Sequence, residues 1–194
     1  MNVSTFFSNI YCGTGKMTKM AGKKTENHSR YLAKVAILVA IGATLHSLET
    51  FLPPPALPGA KLGLANLATI LALSGINYQA GLTVAALRVF LGSLLSGTIF
   101  GYTFYLSLAG ACTSALVMGF LLLFLLQHKS RAMFFLLGVS GAASHNLGQL
   151  AVAYLLVGKA VLVYLPYLLL FALFTGLFTG GLAGALQQRL EKIL

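Results

Sequence analysis

The sequence contains no aspartate and only three glutamates, Glu26, Glu49 and Glu191, in 194 residues. Paired-carboxylate acid–base catalysis and carboxylate-held magnesium therefore lack raw material. No Gly-x-x-x-x-Gly-Lys-Ser/Thr run is present, so the chain is not expected to hydrolyse ATP itself. Its two cysteines, Cys12 and Cys112, stand apart without a second thiol or histidine at metal spacing, which gives no disulfide or zinc signal. No cofactor and no enzymatic activity are expected from this inventory.

Charge is scarce as well: 8% of residues are charged against 58% hydrophobic, with mean hydropathy +0.87. A soluble domain of this length exposes far more charge, so the composition indicates an all-α, polytopic integral membrane protein. The net charge of +10 does not point to nucleic acid, because the basic residues gather in the N-terminal tail and at helix ends. There they meet the headgroups of the lipid bilayer.

Residues 1–30 read as a disordered, basic cytoplasmic tail without the apolar core of a signal peptide. Residues 31–194 read as one membrane domain of six spans. The first runs from about Tyr31 to Leu48, the second, short, from Leu62 to Leu73, and the third from Ala80 to Leu95. The fourth extends from Tyr102 or Thr103 to Leu126, the fifth from Ala132 to Val157, and the sixth from Val161 to about Leu186. Charge supports an even count: with both termini inside, ten of the thirteen Lys and Arg residues are cytoplasmic, leaving Lys61 and Lys159 outside and Arg88 within the membrane.

Between the first two spans lies Pro53-Pro54-Pro55-Ala56-Leu57-Pro58-Gly59-Ala60-Lys61-Leu62-Gly63-Leu64-Ala65-Asn66. Consecutive prolines exclude a helix interior, so an extended elbow is expected, feeding Lys61 and Asn66 into the outer end of the second span. Arg88 sits about nine residues into the third span, a depth at which a charge costs on the order of 2.5–3.5 kcal/mol and needs a partner or a polar cavity. Two readings stand open: a buried pair with Glu49, or an anion-binding cation. The fifth span adds His145, Asn146 and Gln149 beside Gly138, Gly141 and Gly148, able to hydrogen-bond a polar solute or simply to pack. The sixth carries Gly176-x-x-x-Gly180-x-x-x-Gly184, a packing signature. In the first span Ala33, Ala36, Ala40, Ala43 and Ser47 make a small-residue stripe, for contact within the domain or for docking onto another subunit.

The segments Pro58–Asn66, Leu87–Gly101 and Gly141–Gln149 resemble the bacterial membrane family filed as heptaprenyl diphosphate synthase component I, also called the Gx transporter family. The resemblance covers about residues 30–190. That family is similar to the substrate-binding S subunits of energy-coupling factor (ECF) vitamin transporters. The resemblance implies six helices and a bacterial inner-membrane location. It implies capture of a small polar or anionic solute and docking, through Ala36 and Ala40, onto a coupling subunit that works with ATPases. On this reading Glu49, Lys61, Asn66, Arg88, His145, Asn146 and Gln149 line the solute site. The alternative is a non-catalytic accessory protein in isoprenoid or quinone metabolism.

Overall fold

The structure is a computed structural model, and it describes residues 28–51, 63–124 and 130–193. Within these, six α-helices follow in order: α1 (His28–Phe51), α2 (Leu64–Gly75), α3 (Tyr78–Leu95), α4 (Tyr102–Phe124), α5 (Arg131–Val157) and α6 (Leu165–Ile193), with a 3-10 helix at Lys159–Tyr164. No strand occurs among the described residues. By contacts the chain divides into Met1–Ala36 and Ile37–Leu194, and everything described below as a contact lies within the second unit. The proline elbow, with Lys61, and most of the N-terminal tail lie outside the described residues; His28–Arg30, expected in the tail, belong to α1.

Short, specific signals set the helix ends. Asn77 caps α3 by accepting a hydrogen bond from the Ala80 amide at 2.7 Å, leaving a link of only Ile76 and Asn77 after α2. Ser130 does the same for α5 through the Met133 amide, at 3.2 Å. The sixth span opens differently from expectation. Lys159–Tyr164 wind as a 3-10 helix, and α6 begins only at Leu165, one residue before Pro166, whose fixed φ and missing N–H suit a first helical turn.

Helix α2 occupies the interior. Every residue from Ala65 to Leu73 is buried, and the helix packs against α3, α4, α5 and α6. Twelve residues rise only about 18 Å, short of the roughly 30 Å hydrocarbon core. Four helical stretches among the described residues are long and apolar enough to cross a membrane: His28–Phe51, Tyr78–Leu95, Tyr102–Phe124 and Lys159–Arg189. With its 27 residues α5 has the length, but Ser140, Ser144, His145, Asn146 and Gln149 dilute its middle.

The lateral faces are apolar and the interior carries the polar groups. Along α3, Leu87, Phe90, Leu91, Leu94 and Leu95 are exposed, whereas Arg88 and Ser93 are buried with Ala80, Gly81, Val84, Ala85, Val89 and Gly92. This inverts the soluble pattern and fits a membrane-embedded protein. The α5–α6 crossing is glycine-lined: a methyl on Gly176 would meet the Val139 Cα and the Gly138 carbonyl oxygen, and one on Gly180 the Phe134 carbonyl oxygen. The glycine spacing in the sixth span thus serves close helix approach, as read from sequence.

Candidate functional site

Arg88 is 1% exposed and is the largest fully buried side chain described. Its aliphatic part lies against Gly42 of α1, where an added methyl would come within 3.1 Å of the Arg88 Cβ and Cδ and of the Ala68 Cβ. Arg88 Nε donates to Thr69 Oγ1 at 3.1 Å, and an Nη2 hydrogen goes to Asn66 Oδ1 at 2.7 Å. Asn66 and Thr69 stand three residues apart on α2, so one face of that helix presents two acceptors to a single guanidinium. From α4, Ser114 Oγ reaches the same Asn66 oxygen at 3.5 Å. Arginine carries five N–H donors; among the described residues these bonds use two of them, both on neutral oxygens.

Glu49 is buried and its electrostatic field reaches Arg88. Its Oε1 accepts a hydrogen bond from the Leu64 amide, the first N–H of α2. The preceding Gly63 has φ 72° and supplies no side-chain cap, so a carboxylate from α1 takes that role. Glu49 thereby fixes the end of α2 that presents Asn66. Behind it, His46 Nε2 lies 3.5 Å from Ser93 Oγ of α3, and Gly92 leaves room for the His46 ring.

A second polar group continues across α4. Gly110 faces His145 and Gln149 of α5: a methyl there would lie 2.9 Å from His145 Cε1 and Nε2 and from Gln149 Cγ. Gly110 and Ser114 are one turn apart on the same buried face of α4, which connects the Arg88 group to the α5 group. Thr113 Oγ1 donates to the Ser144 carbonyl at 2.9 Å and ties the two helices. Asn146, beside His145 in sequence, serves a different neighbour: its Nδ2 donates to the Leu168 carbonyl of α6 at 2.9 Å.

The seven expected site residues thus separate. Glu49, Asn66 and Arg88 come together at the junction of α1, α2 and α3. His145 and Gln149 face α4, Asn146 ties α5 to α6, and Lys61 lies outside the described residues. Thr69 and Ser114 complete the arginine's surroundings and were not anticipated. The spacing of Thr69 from Asn66 is a usable signal; Ser114 has none, since only the packing of α4 on α2 brings it in. Among the described residues no cluster of His, Cys, Asp and Glu could hold a metal ion. Chemically, the arrangement offers a desolvated, charge-bearing donor fork on neutral supports, suited to an anionic or strongly polar group.

On α1, Ala36 and Ala40 are exposed, while Ala43 and Ser47 are buried, so the small-residue stripe divides along its length. Neither the curated proteins nor the solved structures include a match to the chain. The family model for heptaprenyl diphosphate synthase component I matches residues 38–186, well over half of the 194, and takes in every residue of the Arg88 and α5 groups described above. The chain belongs to the heptaprenyl diphosphate synthase component I family.

Proposed function

We propose that this protein is a substrate-binding subunit of an ECF-type transporter, holding a small polar or anionic solute within its helices for uptake driven by a separate ATPase module. In this reading it crosses the bacterial cell membrane six times with both termini cytoplasmic. The observation that carries it is Arg88: a buried guanidinium supported by Asn66 and Thr69, with Glu49 engaged at the α2 terminus. A buried intramembrane cation is costly, and such residues by default mark sites where a ligand or ion is handled. Lys61, which lies outside the described residues, is expected to add a second positive charge, and exposed Ala36 and Ala40 are expected to offer a smooth surface to the coupling subunit. The protein performs no covalent chemistry; it binds and releases.

The test is solute depletion from the medium by cells expressing the chain with its ATPase module. Arg88→Ala protein inserted at wild-type level abolishes depletion if the reading holds. Undiminished depletion by that variant overturns it.

The family's description favours a second reading, a non-catalytic membrane component in prenyl diphosphate metabolism. A diphosphate is an anion that the Arg88 fork suits equally well. Stoichiometric binding of a prenyl diphosphate to the purified chain, without solute uptake, selects this alternative.

A further inference from the structure

A cavity of about 150 Å³ opens where the start of α4, the C-terminal half of α5, the Lys159–Tyr164 3-10 helix and the beginning of α6 meet. Its mouth is formed by exposed Tyr102 and Thr103 and half-buried Val161 and Tyr164. Deeper walls are Leu106, Leu150, Ala153 and Leu168, all buried and apolar. Among these walls stands one polar side chain, Gln149, 4% exposed, whose Oε1 is buried with no hydrogen-bond partner among the described residues. An acceptor in that state is costly in an otherwise apolar wall unless something donates to it. The Leu168 wall is itself fixed, because Asn146 holds its carbonyl.

We propose that this cavity receives the apolar part of the transported solute, a molecule about the size of one ring, whose N–H or O–H donor meets Gln149 Oε1. The proposal rests on the solute-capture reading above and narrows it: the solute is an amphiphile rather than a bare inorganic anion. A cavity near this volume accommodates a benzene-sized guest. Tyr102, Thr103 and Tyr164 put hydroxyl groups at the mouth, where a hydrated portion of the solute would remain, while Leu106, Leu150 and Leu168 exclude water from the interior. Gln149 then selects for a donor at a defined depth. A guest of the same shape without a donor leaves the amide unanswered and binds more weakly.

The test uses the full chain in lipid nanodiscs and fluorine NMR with two probes of matched shape, 4-fluorophenol and 4-fluorotoluene, scoring only saturable binding. The wild type should bind the phenol at least about tenfold more tightly, the order expected for one buried hydrogen bond. Gln149→Leu should remove that preference while the toluene still binds, and Ala153→Phe, which fills the cavity from another wall, should abolish saturable binding of both. Equal affinity of the two probes in the wild type overturns the proposal, as does a phenol preference that survives Gln149→Leu. Absence of saturable binding to the wild type also overturns it and leaves a water-filled space. Failure here is separable from failure of the transport reading: loss of solute depletion in Arg88→Ala with no probe preference retains transport and removes this cavity from it.

Discussion

At the residue scale, the account turns on Arg88 and the two α2 side chains that hold it. Replacing a buried ion by an apolar residue of similar length is often tolerated, but the partners left behind matter more than the ion. Arg88→Met should therefore lower stability by about 1–3 kcal/mol, because the acceptors of Asn66 and Thr69 lose their donor. Adding Asn66→Leu should recover part of that loss, since both ends of the 2.7 Å bond are then gone. Reversible unfolding in mixed micelles measures both variants, and a double variant worse than the sum of the singles contradicts the pairing. Much of this centre was legible in the sequence. Arg88 declared itself by being charged in an apolar run, and Asn66 by lying next to the proline elbow. Glu49 was read as orienting the arginine; its bond to the Leu64 amide is a further contact, which depends on where α2 starts relative to α1 and leaves no trace in residue spacing.

At the element scale, glycine positions discriminate between contacts made by backbone and contacts made by movable side chains. A methyl on Gly180 would meet the Phe134 carbonyl oxygen and, at 3.0 Å, the Phe135 Cα, neither of which can rotate away. A methyl on the adjacent Gly181 would meet only the rim of the Phe135 ring, at 3.1 Å and beyond. Gly180→Ala should cost about 1–3 kcal/mol by overpacking, and Gly181→Ala should cost far less, measured by the same unfolding method. Equal effects would mean that α5 and α6 do not cross at Gly180. The glycine repeat announced this crossing, whereas the 3-10 turn at Lys159–Tyr164 was hidden, because an apolar run reads alike in either helix type. The cavity beside Gln149 was hidden for a related reason: its walls come from four elements, with α4 distant in sequence from the other three. On α1, docking through Ala36 and Ala40 belongs to the proposed transport reading. Ala36→Leu with Ala40→Leu should eliminate co-purification with the ATPase module, and an unchanged complex contradicts that role.

For the whole molecule, apolar flanks around polar side chains define a protein solvated by lipid, and the direction of each helix then follows from charge. In the proposed topology Lys159, at the α5–α6 link, lies outside and Arg131, at the start of α5, inside. In a background with Cys12→Ser and Cys112→Ala, a membrane-impermeant maleimide should label Lys159→Cys in intact cells and leave Arg131→Cys unlabelled until the cells are opened. The reverse pattern would invert the topology and move the cavity beside Gln149 to the cytoplasmic side. Family membership and helical class were both legible from composition and local motifs, since each depends on near neighbours in the chain. The short interior helix α2 was only half legible: its length showed in sequence, but its burial on all sides requires the other helices around it.

The proposed function requires that Arg88 be retained for an anionic or polar solute rather than for packing. Mass spectrometry of small molecules released from the full chain, purified in native lipid patches as wild type and as Arg88→Met, tests it most directly. Wild-type protein should release a small polar or anionic molecule in near-equal amount to itself, and the folded variant should release none. The same molecule at the same stoichiometry in both would contradict it.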